Sequence, residues 1–459
     1  MQLMPPTDAM FLLPESREQP MHVGGLQLFH LPTGADRSWL RELHRRAVTV
    51  QDLAPVFRKR PYRSALTLGQ WMWLDDSEVD LEHHVRHSAL PEPGRIRELL
   101  ALVSRLHGTP LDRQRPLWET HLIEGLEGNR FAVYTKVHHS LMDGVSANAL
   151  LQSSLSTDPD ERNVPMPYQQ RPVQRRERQG GHRPGLLALP GLALGAVRDT
   201  VGLGPRMLQL AQGALRQQAA VLPGQAPRSP FNVSITGSRR FAADAWSMDR
   251  IRAVAKAADA TVNDVVLAMC AAALRDYLLD LDALPAGPLV AMTPVSLRKD
   301  GGPSGGNAVG TILCSLATDV ADPQARLLAV RDSMNAGKAA LAGLSQLQVS
   351  ALSAAVMAPL LFNSLVGLHK VVRPPFNLVI SNVPGPQQTL FWNGARLQGA
   401  YPLSIPVDGQ ALNITVTSYD GWMQFGLVGC RRSVPHLQRL LSGLHAALTG
   451  LEEAFVTSP

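Results

Sequence analysis

A chain of 459 residues is too long for one ordinary hydrophobic core and predicts two or three domains. With 45% hydrophobic and 18% charged residues it can bury a large core, which excludes a disordered chain. The formal charge of +6, gathered in arginine-rich patches, suits acidic ligands such as phosphates or the anionic face of a membrane; no reader motif accompanies it, so no nucleic-acid partner is expected.

The opening run "MQLMPPTDAMFLLPES" has neither a positively charged start nor a long apolar core, so no secretion signal is read and a cytoplasmic location is expected. Over the first 155 residues short apolar runs alternate with helical patterns. "RIRELLALVSRLHG" reads as a helix and "RFAVYTKV" as a strand, which makes residues 1–155 a mixed α/β unit. Residues 156–185, rich in proline, arginine and glutamine, predict an exposed linker. The leucine-rich "LLALPGLALGAVRDTVGLGPRMLQLAQGAL" then reads as a helix packed across both halves, so that residues 156–230 separate the first half from a second at 231–459.

In the second half, helices are predicted after "WSMD" and "ATVND", and a strand at "PLVAMTPVSLR". The loop "KDGGPSGGNAVG" lacks the Gly-Lys-Ser/Thr ending of phosphate-cradling loops, so no nucleotide site is read there. Asp322 and Pro323 open a helix through "ARLLAVRDSMNAGKAAL". The uncharged stretch from Val349 to Leu368 is long enough to cross a bilayer, but its serines, Asn363 and Pro359 favour a buried or tunnel-lining helix. A strand at "FNLVISNVPG", a hairpin of "ALNITVTSY" and "WMQFGLVGC" turning at Asp420 and Gly421, and the helix "HLQRLLSGLHAALTGLEEAF" close the chain. Cys270, Cys314 and Cys430 are isolated in apolar runs, which predicts neither a disulfide framework nor a thiolate metal site.

The chemistry concentrates in "KVHHSLMDGVS". A strand ending near Val137 turns His138 and His139 to opposite faces, so the two rings cannot share one task. An imidazole is mostly neutral at cytoplasmic pH and can take a proton from a hydroxyl that attacks a carbonyl. Asp143 and Gly144 then turn the chain, the glycine permitting a backbone geometry that other residues resist. Two alternatives stay open on the residues alone: a metal site of two histidines and a carboxylate, disfavoured by the divergence of the pair, and two satisfied core histidines. His83 and His84 lack the following Asp-Gly and read as structural.

"HHSLMDG" resembles the His-His-x-x-x-Asp-Gly motif of the CoA-dependent acyltransferase superfamily. With "TDAMFLLPESREQPMHVGGL", "RPLWETHLIEGLEGNRFAVYTKVHHSLMDG", "TVNDVVLA", "TPVSLR" and "FNLVISNVPGP", nearly the whole chain resembles the bacterial wax ester synthase/acyl-CoA:diacylglycerol acyltransferase family. The resemblance implies an α/β (α+β) fold of two chloramphenicol-acetyltransferase-like domains with a tunnel between them. It implies acyl-CoA as co-substrate with no resident cofactor or metal, a fatty alcohol or diacylglycerol as acceptor, and a peripheral membrane or lipid-inclusion surface. His139 is then the base, acting without a covalent intermediate, with His138 and Asp143 assisting and Arg298 pairing with Asp143.

By the same resemblance Pro116, Leu117 and Trp118 contact substrate and Asn263 lies near the tunnel, although Thr261 and Asp264 there also fit a plain helix cap. Asn382, beside Ser381, is a candidate donor to the developing oxyanion, against a plain role in a proline turn. Two other functions compete: a carrier-protein-dependent condensation domain and a non-catalytic coat protein of lipid inclusions.

Overall fold

Two periodicities build the molecule: apolar alternation at period two makes strands, and apolar stripes at helical spacing make the helices that cover them. The structure is a computed structural model and describes residues 1–64, 67, 69–170, 221, 224–296, 309–342, 344–345, 348–349, 351–353, 355–357 and 373–456. In chain order the first half holds β1 (Gln2–Leu3), α1 (Pro6–Ala9), β2 (His22–His30), α2 (Arg37–Val48), β3 (Lys59–Tyr62), β4 (Met72–Asp75), α3 (Leu81–His84), β5 (Val85–Ala89), α4 (Ile96–His107), β6 (Trp118–Leu126), β7 (Arg130–His138) and α5 (Gly144–Ser153). The second holds β8 (Arg239–Ser247), α6 (Met248–Ala257), α7 (Val262–Asp280), β9 (Val290–Ser296), β10 (Val309–Ser315), α8 (Pro323–Leu341), β11 (Leu378–Val383), β12 (Phe391–Trp392), β13 (Ala395–Leu403), β14 (Leu412–Tyr419), β15 (Trp422–Cys430) and α9 (Arg439–Phe455).

Among the described residues two six-stranded sheets carry the fold, and a three-stranded sheet, β1-β4-β3, flanks them. The first large sheet runs β12-β13-β2-β7-β6-β5 and is antiparallel except at β5–β6. The second runs β10-β9-β11-β14-β15-β8, with β11 parallel to both β9 and β14. Chain order and sheet membership diverge at one place. Strands β12 and β13, from residues 391–403, complete the first sheet, with Arg396 opposite His30 and Leu403 opposite Gly24. This crossover covers the edge of β2 and ties the two halves together.

Several local rules are visible in atomic detail. Thr261 Oγ1 accepts from Asp264 N at 3.2 Å while Asp264 Oδ2 accepts from Thr261 N at 2.9 Å, a reciprocal cap that starts α7. Asp322 Oδ2 accepts from Ala325 N at 2.7 Å ahead of Pro323, which starts α8. Asp420 and Gly421, with φ of 47° and 80°, form the hairpin turn between β14 and β15. Helix α7 is apolar nearly all round and is buried accordingly. No single helix among the described residues is long and apolar enough to cross a membrane; α6 and α7 meet that test only as a pair bent by 100°.

The predicted exposed linker is exposed over residues 157–163 and needs correcting between 164 and 168. Val164, Met166 and Tyr168 are buried, because apolar residues at every second position let the segment lie against the first sheet. Tyr168 stacks on Trp118 with ring centroids 4.9 Å apart and donates its hydroxyl to Ala47 O at 2.8 Å. Residues 171–220, including the leucine-rich stretch, lie outside the described residues, as do most of the glycine-rich loop and of Val349–Leu368.

The seam between the sheets is a cluster of Leu26, Leu99, Val103, Ile123 and Tyr134 from the first half with Phe241 and Val428 from the second. One approach there brings backbone close to backbone: a Cβ added at Gly426 in β15 would stand 1.8 Å from Pro402 O in β13. We expect Gly426→Ala to force the sheets apart and cost about 1–3 kcal/mol or more of stability, read as a lowered thermal midpoint. An unchanged midpoint would show that the seam yields freely.

Candidate active site

The histidine motif sits where β7 ends and α5 begins. His22 of β2 pairs with His138, Leu141 N donates to His138 O at 2.9 Å, and Asp143 Oδ1 caps α5 by accepting from Ser146 N at 2.7 Å. The segment is therefore a strand end, a tight turn and a helix start, each with its backbone groups satisfied.

His138 faces inward and is fully buried. Its Nδ1 lies 2.6 Å from Ser140 Oγ and accepts from Ser140 N at 3.1 Å. Because a backbone N–H only donates, the neutral ring carries its proton on Nε2, which donates to Glu15 Oε1 at 3.2 Å. Glu15 also accepts from Met21 N at 3.1 Å and from Arg113 Nε at 2.8 Å. Burial would raise its carboxyl, but the hydrogen bond from His138, the Met21 amide and Arg113 together hold it below the ordinary value.

His139 turns the other way. Its backbone N donates to Met21 O at 2.9 Å, and its ring stacks on Phe11 with centroids 4.0 Å apart and planes 26° apart. Ring Nδ1 is buried without a hydrogen-bond partner among the described residues. Removal from water pushes the imidazole down to about 4, against a smaller opposing pull from Asp143, so the ring is neutral at physiological pH. His139 and Asp143 lie on the wall of a cavity of about 510 Å³. Val23, Gly25, Val137 and Leu151 line it from the first half, and Met292, Pro294, Val379, Ser381, Asn413 and Thr415 from the second.

The other residues singled out in the sequence fall into three groups. Trp118 lines the cavity and is also locked in place, donating Nε1 to Phe57 O at 2.9 Å and stacking on His84 at 4.6 Å. Pro116 and Leu117 are buried off the cavity wall, Leu117 in a separate apolar cluster with Met4, Leu12 and Trp73; Leu117 O accepts from His138 N at 2.9 Å. Asn382 Nδ2 donates to Asn263 Oδ1 at 3.3 Å, a pair that bridges β11 and the start of α7 and likewise stands off the wall, which Ser381 reaches instead. Arg298 lies outside the described residues. Gly144 does not need a glycine's backbone freedom: it is the first residue of α5, outside the left-handed region, and an added Cβ would meet nothing closer than Val23 Cγ1 at 4.0 Å. The Asp143 cap makes the turn instead.

With this geometry in view, the comparisons with known proteins converge. Residues 4–266 match the family described as the wax ester synthase/diacylglycerol acyltransferase catalytic domain, and residues 305–452 match the WS/DGAT C-terminal domain. The chain belongs to the wax ester synthase/diacylglycerol acyltransferase family. It is 53% identical over 455 residues, 99% of both chains, to a probable diacylglycerol O-acyltransferase of Mycobacterium tuberculosis. A second, putative one from that organism is 51% identical over 98% of this chain and 99% of its own. The solved wax ester synthase/diacylglycerol acyltransferase from Marinobacter aquaeolei VT8 superposes with a TM-score of 0.78 at 44% identity, covering 99% of each chain. A starter condensation domain of rhizomide synthetase shares the fold alone, at a TM-score of 0.56 and 13% identity over 100% of this chain and 94% of its own.

The pairings made by several residues of this acyltransferase's site carry no sequence signal. Phe11 and Glu15 lie in a stretch that resembles the family, but no spacing rule ties Glu15 to His138 across 123 positions or to Arg113 across 98. An ionic contact joins β6 and β7, where buried Lys136 Nζ lies 3.2 Å from Glu119 Oε2 of its cross-strand partner and donates to Thr109 O at 2.9 Å. Burial works against that carboxylate, yet His121, Lys136 and Arg86 hold Glu119 at about 2. Among the described residues no group of three or more His, Cys, Asp or Glu stands in metal-holding geometry.

The covering role of Phe11 is measurable. An NMR titration should place the His139 midpoint near 4, and Phe11→Ala, by admitting water, should move it up toward 6.5. Between those values the unfolded chain binds the proton that the folded ring refuses, so this histidine erodes stability as pH falls through that window. A midpoint that Phe11→Ala leaves in place would mean that another group keeps water away.

Proposed function

We propose that this chain moves a fatty acyl group from acyl-CoA to the hydroxyl of a long-chain alcohol or a diacylglycerol, making wax esters, triacylglycerols or both. The observation that carries the reading is a neutral His139 imidazole on the wall of a largely apolar cavity to which both halves contribute. The names of the mycobacterial relatives support a diacylglycerol acceptor, and that of the Marinobacter protein supports an alcohol as well.

With Nδ1 buried, Nε2 is the atom of His139 assigned to the proton. As the acceptor oxygen attacks the thioester carbonyl carbon, its O–H proton passes to Nε2. The carbon–sulfur bond then breaks, and the departing CoA sulfur takes the proton back. The ring ends neutral and no acyl-enzyme forms. His138, fixed by Glu15 and Ser140, holds the strand end in place, and Asp143 steadies the turn by capping α5. Trp118 shapes the substrate wall, while Pro116 and Leu117 are buried off that wall.

Acyl-CoA is a co-substrate in this scheme, and its oily partner calls for contact with a membrane or lipid inclusion. Leu13 and Val145, 59% and 46% exposed, are apolar side chains two residues from Phe11 and Asp143, where such contact would serve the cavity.

Purified protein given palmitoyl-CoA with hexadecanol or a diacylglycerol should release free thiol and form ester. His139→Ala should lower the rate by about 100- to 10,000-fold with the thermal midpoint retained. Because the base loses function only when protonated, kcat/KM should stay level from neutral pH downward and fall on the acid side near pH 4. Thiol release that survives His139→Ala at the original rate would refute the assignment of the base.

A further inference from the structure

Behind the main cavity lies a second void of about 20 Å³, enough for about one methyl-sized group. Gln27, Thr120, Leu151, Pro167 and Tyr168 border both spaces, so a single layer of side chains divides them. Ala47 of α2 and Trp392 of β12 border the void on its far side.

The dividing layer is mostly hydrocarbon, the buried Gln27 amide being its polar exception. Thr120 Oγ1 is bonded to Thr135 Oγ1 at 3.1 Å and the Tyr168 hydroxyl to Ala47 O, so their polar atoms are engaged within the protein. Leu151, on α5 just beyond the histidine motif, is 7% exposed. It rests over Gly25 in the middle of β2, where an added Cβ would stand 2.8 Å from Leu151 Cδ1. A glycine weakens a strand interior, and Gly25 has no left-handed φ to require one. What its missing side chain supplies is room for Leu151 at the divide.

We propose that the small void is the terminal seat for a substrate's alkyl tail and that Leu151 is the side chain that sets tail length. The inference rests on the alkyl-substrate reading above. A tail that fills the main cavity ends against Leu151, and a longer one must push that side chain aside to reach Ala47. One methylene more or less in an apolar pocket changes selectivity by about 10- to 200-fold, so a single wall residue suffices to set a preference. The tail belongs either to the acyl donor or to the alcohol acceptor, which present the same hydrocarbon chemistry.

The test compares the unaltered protein with Leu151→Ala and Ala47→Val. One series varies acyl-CoA from octanoyl to stearoyl with hexadecanol fixed; the other varies 1-alkanols over the same lengths with palmitoyl-CoA fixed. Leu151→Ala, which joins the two spaces, should raise the kcat/KM ratio of long over short tails about tenfold in one series. Ala47→Val, which fills the void, should lower the same ratio, and the series that responds identifies the tail. Length profiles unchanged in both variants, with thiol release intact, would overturn the void's role while leaving the transfer reaction standing. Absence of thiol release from the unaltered protein with every pair would overturn both. Should Leu151→Ala fail to fold, Ala47→Val decides alone, since an unchanged profile contradicts a filled seat.

Discussion

A β-strand turns successive side chains to opposite faces, and at the end of β7 that single constraint separates two adjacent imidazoles into different environments. His138 enters a fully protein-bonded interior, and His139 enters the wall of a cavity. Had β7 slipped by one residue against β2, the ring now tied to Glu15 would face the cavity and the ring stacked on Phe11 would be buried. Register is held by interactions that cannot follow such a slip: Trp118 and Leu122 on one face of the sheet and Tyr134 with Ala132 on the other.

The N-terminal segment works with that constraint. Residues 11–21 bring one ring over His139, one carboxylate under His138 and one backbone amide and carbonyl at Met21 that fasten both. Glu18 O also accepts from Arg239 Nη2 at 2.7 Å, and Gln19 Oε1 accepts from Asp408 N at 2.8 Å. The same short stretch therefore joins the two halves at the place where the motif is set. A carboxylate such as Glu15 is costly to bury alone, and its three donors make it a rigid post.

Each half supplies something the other lacks. The first sheet delivers the histidines and the capped helix α5, while the second contributes cavity wall that is apolar from β9, mixed from β11 and polar from β14. Strands β12 and β13 cross back to seal the edge of β2, so the cavity cannot widen without breaking a hydrogen-bonded ladder that runs, with one irregularity between Leu397 and Gly399, from Arg396 to Leu403. That closure lets a site with a desolvated imidazole persist between two bodies of one chain.

Local signals were enough for much of this. Strand β7, helices α4, α7 and α8, the turn at Asp420 and Gly421, the divergence of His138 and His139, and family membership are all written in near neighbours along the chain, because periodicity, capping and turn chemistry act over a few residues. The supposed special role of Gly144 and the exposure of Val164, Met166 and Tyr168 went astray because glycine and proline also occur where packing, not backbone freedom, decides. Only the tertiary structure could bring Glu15 to His138 across 123 positions, lay Phe11 on His139, send β13 to the first sheet and set Leu151 over Gly25. Those contacts join residues far apart in the chain, and their energies depend on burial and distance, which exist only once the two sheets have closed.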